Sequence, residues 1–383
     1  MMNPFAFQTR AIHSVIAMAI GSMMPVTSQA QENVAGSGLK ISGFASLVAG
    51  KILSGTGTGK LNASNFDCPC QVGDFGNAGV YQSGGFSMKQ ESRAGVQLNY
   101  SATPQLDFVG QVVTRGTVPK PNVQWAYAGY KFGDGWEIQA GRKRIPLFYY
   151  SDYQDVGTAY PWVSVPPEYY GWDVVNYNGA SLRYTTSLGN FNLTGSVFAG
   201  REKVNESGFQ KIFTTDRSDA TWSKLRGAEL EITNGALTTR LVYLKADTRV
   251  HSQVTDGAVV THLSSFGIAA QLDYGKWFAV AEFAEQDNNF YRQNLVVKAP
   301  GGAIGAGMRF GAWTPFITYS KFREVPTDRN VYPSTLMQRR SATLRYDINS
   351  KSDIKLQYDR YTDSAKNYGG NAKVLRISYD LVF

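Results

Sequence analysis

Residues 89–100 read KQESRAGVQLNY and decide the fold class of this chain. Small or apolar side chains occupy every second position: Ser92, Ala94, Val96, Leu98 and Tyr100. Polar and charged side chains lie between them: Lys89, Glu91, Arg93, Gln97 and Asn99. Alternate residues of a β-strand point to opposite faces, so the stretch predicts a strand with one apolar and one charged face.

The same period of two recurs at 106–115, 265–274 and 339–348. A wall that meets lipid outside and water inside produces this alternation. A soluble β-sandwich can produce it as well, because its outer faces are also charged. The strands alone therefore predict an all-β protein without deciding its surroundings.

The connections between these strands alternate between tight turns and long polar loops. Tight turns rich in Gly, Asn, Asp and Pro are predicted at 103–104, 133–135, 189–190, 234–235, 275–276, 311–312 and 349–351. Long loops are predicted at 51–85, 116–122, 145–178, 201–223, 246–261, 287–301, 323–338 and 362–372. Tight turns at one rim and long loops at the other indicate a transmembrane barrel, and these connections separate sixteen strands.

The N-terminal residues 1–30 have the features of a cleavable export signal. Arg10 precedes an apolar stretch, and Ser28 and Ala30 form a small-x-small motif, which predicts cleavage after Ala30. Beyond it, no window of about 18 residues lacks charge, so a closed barrel is the expected way to span a membrane. Residues 31–383 are predicted to form one outer-membrane barrel domain.

The charge and the cysteines narrow the range of partners. The formal net charge of +8 becomes +7 without Arg10, and no run of five or six basic residues predicts nucleic-acid binding. An anion-attracting surface or lumen is the remaining interpretation. Cys68 and Cys70 lie in a loop-like stretch, where a local disulfide or two free thiols is favoured over a metal site.

The residue inventory argues against an enzyme, which would need a nucleophile, a base and an orienting group. The chain has three histidines, one of them in the predicted signal, and no Gly-x-Ser-x-Gly motif. The glycine-rich residues 55–60 lack the spacing of a phosphate-binding loop. No cofactor and no metal are expected.

The last strand, residues 373–383, alternates in the same way and ends in the aromatic Phe383. That ending resembles the assembly signal of bacterial outer-membrane barrels. With the alternating strands and the turn rhythm, the chain resembles the Gram-negative porins along residues 31–383. The resemblance implies sixteen antiparallel strands, a homotrimer surrounded by outer-membrane lipid, insertion by the barrel assembly machinery, and a third long loop folded into the lumen.

The resemblance also implies a constriction in which acidic loop groups oppose basic wall groups. The acidic candidates in the third long loop are Asp152, Asp155, Glu168 and Asp173. The basic candidates on the wall are Arg93, Arg115, Arg183, Arg309 and Arg345. Each arginine has an equally good alternative as a lumen charge that is paired with an acid and has no role in selection.

The predicted function is passive diffusion of small hydrophilic solutes and ions through a water-filled channel. A solute-selective channel that prefers anions is the alternative, motivated by the positive net charge. A barrel enzyme and a secreted adhesin are more remote alternatives.

Overall fold

The computed structural model describes residues 32–33 and 38–383, so the predicted export signal lies outside the described residues. Sixteen antiparallel strands form one closed barrel, in which each strand pairs with its neighbours in sequence. The strands are β1 Leu39–Gly55, β2 Arg93–Ser101, β3 Leu106–Arg115, β4 Val118–Phe132, β5 Trp136–Arg144, β6 Asn176–Leu188, β7 Phe191–Val204, β8 Ser218–Asn234, β9 Leu237–Ser252, β10 Ala258–Asp273, β11 Trp277–Phe290, β12 Leu295–Met308, β13 Trp313–Pro326, β14 Thr335–Asn349, β15 Ser352–Asp363 and β16 Ala372–Val382. This confirms the predicted fold class.

The barrel closes where β16 pairs with β1. Phe383 extends this seam beyond the last strand, because its backbone exchanges hydrogen bonds of 2.9 and 3.0 Å with Gly43. Gly43 has no side chain, and a Cβ there would stand 2.2 Å from the Phe383 ring. A short strand, Glu32–Asn33, pairs with β1 near the same place.

The alternation read from residues 89–100 corresponds to the two faces of the barrel wall. Leu98 is 45% exposed on the outer surface, whereas Asn99 points inward and is 8% exposed. The last strand repeats the pattern, with Tyr379 outside and Asp380 fully buried inside. The outer face is apolar and the inner face is polar over the middle of the wall.

Aromatic side chains mark the short-turn end of the barrel on its outer surface. Five of the aromatic residues near predicted strand ends are exposed there: Trp136, Phe191, Trp277, Phe310 and Trp313. Phe316, near the start of β13, does not belong to this group. Its strand parity turns it inward, where its ring lies 5.0 Å from that of Trp162.

All seven predicted tight turns join consecutive strands at one end of the barrel. Several carry a glycine with positive φ, a backbone region that glycine enters without steric cost: Gly133, Gly189, Gly235, Gly275 and Gly311. At the other end, three predicted long loops are wrong. Those at 246–261 and 287–301 shorten to residues 253–257 and 291–294, because the flanking strands continue through them. The third is the predicted loop at 116–122. β3 and β4 continue their hydrogen bonding until only residues 116–117 form the turn.

In the part of the chain that the structure describes, no helix is both long enough and apolar enough to cross a membrane.

Candidate functional site

Residues 145–175, called the third loop below, connect β5 with β6 and pack against inward side chains of the wall. The segment contains helical turns at Ser151–Tyr153 and Gly157–Ala159 and one short helix, α1, Pro167–Tyr170. Most of its aromatic side chains are buried: Phe148, Tyr149, Tyr150, Tyr160, Trp162, Tyr169 and Tyr170. Their rings contact one another edge to face, as Tyr150 and Trp162 do at 5.4 Å. The third loop is therefore a packed body held by its own aromatic residues.

Asp155 attaches the third loop to one side of the wall. Its carboxylate accepts hydrogen bonds from Arg115 at 2.7 Å and Arg144 at 2.6 Å, and its backbone carbonyl accepts one from Arg93 at 2.9 Å. Burial raises the pKa of the Asp155 carboxyl, but the three arginines outweigh burial and hold that pKa well below its usual range. Asp155 is thus an anion that neutralises part of this basic cluster.

Asp152 and the backbone around it attach the loop to a second part of the wall. Arg240 on β9 lies 3.5 Å from Asp152 and 3.0 Å from Glu231. On β11, Glu282 accepts hydrogen bonds from the backbone N–H of Tyr149 at 3.0 Å and from the Tyr170 hydroxyl at 2.7 Å. A buried wall carboxylate here receives neutral donors, in contrast to the arginines around Asp155.

A chain of alternating charges continues around β14, β15 and β16, and we call it the charge ladder. Glu91 pairs with Arg376 at 2.6 Å, and Arg376 pairs with Asp359 at 2.7 Å. Arg339 lies 3.9 Å from Asp359 and 3.1 Å from Glu168 of the third loop. Each charge in this row is buried. The third loop therefore completes the ladder, because Glu168 supplies its last carboxylate.

A second row of charges lies nearer the short-turn end. Arg345 contacts Asp353 at 3.1 Å, and Lys355 contacts Asp353 at 3.5 Å and Asp380 at 3.1 Å. The third loop uses backbone carbonyls here, since Arg345 donates to Thr158 at 2.8 Å and Lys355 donates to Gly157 at 2.5 Å. The loop thus binds strands on several sides of the lumen through both side chains and backbone.

Other loops cover the long-loop end above the third loop. Phe75 of the first loop contacts Phe209 of the fourth loop at 6.1 Å and Tyr368 of the eighth at 5.8 Å. The ring of Phe213, also in the fourth loop, is the fourth member, and its centre lies 5.6 Å from that of the Tyr368 ring. We call these four rings the aromatic cap. The cap joins the first, fourth and eighth loops to one another.

Cys68 and Cys70 form a disulfide at the base of this cap. Cys70 begins a small hairpin, Cys70–Asp74 with Gly79–Gln82, whose apolar side chains are buried against the neighbouring loops. The Tyr81 hydroxyl of the hairpin donates to Glu91 at 2.6 Å. The hairpin is therefore linked to the charge ladder.

The fourth acidic candidate, Asp173, lies apart from the basic cluster. Its carboxylate accepts hydrogen bonds from Ser207 at 2.8 Å and Gln210 at 3.0 Å, both in the fourth loop. Burial raises the pKa of the Asp173 carboxyl to about 6, although both hydrogen bonds lower it. Asp173 connects two loops, whereas Asp152, Asp155 and Glu168 contact wall arginines.

The basic candidates also separate by position. Arg93, Arg115 and Arg345 contact the third loop directly. Arg309 lies at the short-turn end, where it pairs with Asp273 at 2.9 Å. Arg183 is buried on the inner wall, and its Nη1 has no hydrogen-bond partner among the described residues. The structure thus brings three of the five to the loop.

Several residues that hold the third loop are absent from the sequence-derived candidates. They are Arg144, Arg240, Glu282, Arg339 and Lys355. Arg376 of the charge ladder is absent from those candidates as well. The available signal was strand parity, because Arg376 alternates with the outward Leu375 and Ile377. Parity identifies an inward charge, but the height and partner of that charge depend on closure of the barrel.

No group of three or more His, Cys, Asp or Glu side chains that could hold a metal ion occurs within residues 32–33 and 38–383. The two histidines of this part contact carboxylates. His251 lies 2.7 Å from Asp256, and His262 lies 2.7 Å from Asp247.

Comparison with known proteins supports the architecture. No protein-family model matches the chain, and no curated protein matches it by sequence. Among solved structures, it is similar to OmpF of Salmonella typhi in complex with daunomycin, with a TM-score of 0.59, 14% identity, and coverage of 92% of this chain and 100% of that one. It is also similar to the outer membrane channel DcaP of Acinetobacter baumannii, with a TM-score of 0.58, 12% identity, and coverage of 92% and 99%.

A third similar structure is the anion-selective porin of Comamonas acidovorans, with a TM-score of 0.57, 12% identity, and coverage of 91% of this chain and 100% of that one. The three likenesses extend over nearly the whole barrel at low sequence identity. The chain therefore has the fold of outer-membrane porins and channels.

Proposed function

We propose that this chain, whose fold is that of outer-membrane porins, is an outer-membrane channel for passive diffusion of small hydrophilic solutes and ions. One observation carries the proposal: the closed ring of sixteen strands is apolar outside and charged inside. Barrels of this strand number enclose a lumen too wide for wall side chains to fill, and a charged inner wall favours water there. Export through cleavage after Ala30, membrane insertion through the Phe383 signal and assembly as a homotrimer belong to the same proposal.

The third loop sets the size limit in this proposal. It binds the wall at the Asp155 cluster, at Glu282 and at the charge ladder, so it reduces the free cross-section at these heights. Acidic and basic groups are in direct contact at the Asp155 cluster and at the charge ladder, so their charges largely cancel there. We infer a narrow passage with weak ion selectivity.

A modest preference for anions is the second candidate, and two inward residues favour it. Lys143 is buried and donates to the neutral side chains of Gln139 and Ser181. Arg183 is also buried, with one nitrogen lacking a hydrogen-bond partner in the described chain. Cations without a carboxylate in contact leave a local positive potential on the wall. The preference is expected to fall in the K143Q/R183Q variant.

Single-channel recording in a planar bilayer tests the proposal, together with the reversal potential across a salt gradient. Wild type is expected to give ohmic steps, grouped in threes if the trimer forms, with a reversal potential near zero or slightly anion-selective. The D155N variant is expected to alter the step size, whereas D134N, which removes the same charge from an exposed tight turn, is not. Folded protein that gives no current would refute the channel, and a cation-selective potential would refute the anion preference.

An enzyme is the less supported alternative, because neither described histidine contacts a serine, threonine or cysteine. Both histidines instead contact aspartates and are at least partly exposed. A solute-dependent covalent change catalysed by the purified barrel would reopen this alternative.

A further inference from the structure

The outer surface carries a cluster of basic side chains that the channel function does not use. We call it the outer basic patch, and it consists of Lys321, Arg323, Arg340, Arg360 and Lys373. The register places Arg340 opposite Arg360, and Arg360 opposite Lys373, on three adjacent strands. Side chains in directly opposed positions have Cβ atoms roughly 4.5–5.5 Å apart, and like charges at this distance repel one another.

The patch has no compensating acid within the described residues. Inward basic residues of the same strands are each paired, as Arg339, Lys355 and Arg376 show. None of the five members of the patch forms an ion pair or a side-chain hydrogen bond with residues 38–383, and all five are exposed. The inward cations of these strands are neutralised by carboxylates of the chain, whereas the outward cations repel one another. An anion from outside the chain would relieve this repulsion.

The position of the patch identifies the kind of anion. On β14, β15 and β16, the patch residue is the first outward position after an apolar run on the way to the long-loop end. The runs are Ala342, Leu344, Tyr346 and Ile348 on β14; Ile354, Leu356 and Tyr358 on β15; and Leu375, Ile377, Tyr379 and Leu381 on β16. Apolar runs of this kind face the acyl chains, so the patch lies where the headgroups of that leaflet begin.

We propose that the outer basic patch binds the phosphate groups of a membrane lipid in the leaflet on the long-loop side. Arginine forms paired hydrogen bonds with phosphate oxygens, and several adjacent cations can share one multiply charged headgroup. The acyl chains of the same lipid would lie along the apolar runs below. The aromatic short-turn end has no comparable row, so the site distinguishes the two leaflets. The proposal depends on the membrane-spanning fold and not on conduction.

Native mass spectrometry of the barrel in a non-ionic detergent tests this site. The probes are phosphatidic acid, phosphatidylcholine and inorganic phosphate, titrated onto wild type and the R340Q/R360Q/K373Q variant. Each cation near an anionic surface contributes roughly a fivefold factor, so the triple variant is expected to bind phosphatidic acid roughly a hundredfold more weakly. Phosphatidylcholine is expected to show a much smaller difference, and the conservative R340K/R360K variant to retain most of the binding.

The K131Q/K276Q/K351Q variant is the matched control, since it removes three exposed cations from the short-turn end. It is expected to bind phosphatidic acid within threefold of wild type. Equal losses in both triple variants would reduce the effect to general electrostatics and overturn the site. Competition by inorganic phosphate at the same concentration as the lipid would overturn the lipid as the ligand.

Two further measurements keep the outcome decisive. An unheated gel establishes whether the triple variant is folded. If the triple variant does not fold, the single R360Q variant replaces it, with an expected severalfold loss of affinity for phosphatidic acid. Size-exclusion chromatography reports the oligomeric state. If R340Q/R360Q/K373Q dissociates the oligomer without changing lipid binding, the patch is an interface with a second copy and the lipid proposal is wrong.

Discussion

The inner and outer faces of β14, β15 and β16 both carry basic residues, but they differ in how these residues are paired. Inside, Arg376 contacts two carboxylates at 2.6 and 2.7 Å and is fully buried. Outside, Arg360 lies between two other cations and is exposed. A buried charge without a partner is very costly, whereas an exposed charge remains hydrated. Pairing inside is therefore required by burial, and clustering outside requires a different cause.

Breaking the charge ladder should have the largest effect on stability. The R376Q variant leaves Glu91 and Asp359 buried without their shared cation, and removal of one partner from a buried pair costs about 3–5 kcal/mol. The measurement is the free energy of unfolding in urea from lipid vesicles, followed by tryptophan fluorescence. The E91Q/D359N/R376Q variant, which neutralises all three groups, should recover most of the loss. A loss below 1 kcal/mol in R376Q would mean that water reaches the ladder.

At the third loop, buried wall arginines pair with a carboxylate of the loop, Asp155, instead of a carboxylate of the wall. The D155N variant weakens the hydrogen bonds from Arg115 and Arg144, and bonds to charged groups contribute about 1.5–3 kcal/mol each. The barrel should remain folded while the third loop loosens. Hydrogen exchange of residues 145–175 should increase severalfold. Exchange in β7 serves as the control, because none of its described residues forms a hydrogen bond or ion pair with the third loop.

The attachment at Asp155 should also resist acid. The pKa of Asp155 in the folded protein is below its unfolded value, so its stabilisation is fully present above pH 3.8 and is lost only as pH falls through that lower value. Protection against hydrogen exchange around Asp155, in residues 150–160 and away from Asp173, should therefore persist from pH 8 to pH 4. A transition near pH 5 or 6 in this segment would contradict the proposed attachment.

Asp173 should behave in the opposite way, with a smaller effect. Its pKa is raised from 3.8 to about 6, so its contribution to stability is fully present below pH 3.8 and is lost as pH rises through 6. Contact with Ser207 and Gln210 should weaken between pH 5 and pH 8, and protease cleavage within residues 205–217 should become severalfold faster. In D173N, which keeps an acceptor oxygen, cleavage should not depend on pH in this range.

Much of the wall could be predicted from the sequence because strand parity is a local property. Residues 93–100 and 373–383 have the faces that their alternation predicts, and all seven tight turns lie where Gly, Asn, Asp and Pro indicate them. Residues 89–92 were predicted to belong to the strand, but they precede β2 as a turn. The loop at 116–122 was mispredicted because its polar residues continue the strand pairing of β3 and β4 beyond the apolar zone.

The partners within the third loop and the charge ladder could not be predicted in the same way, because they depend on closure of the whole barrel. Arg376 and Glu91 are 285 residues apart, and Tyr170 and Glu282 are 112 apart. Parity indicates that Glu91 and Arg376 point inward, but their relative heights follow from the tilt of the strands around the ring. Asp173 shows the same limit, since it lies in the expected loop but contacts another loop instead of an arginine.

The smallest effect on the free energy of unfolding is expected for R360Q, the outward counterpart of R376Q. The R360Q variant removes an arginine from the strand next to Arg376, but from the exposed face, where surface substitutions change stability by within about 0.5 kcal/mol. In neutral lipid, R360Q should match wild type or be slightly more stable, since it relieves repulsion from Arg340 and Lys373. In vesicles containing phosphatidic acid, the same variant should be less stable than wild type, because wild type gains binding free energy from the lipid. Identical unfolding free energies for the two proteins in both lipids would show that the outer cations are unpaired without binding a lipid. A change of sign between the two lipids would instead show that the outer row, like the ladder inside, is completed by anions, supplied by the membrane rather than by the chain.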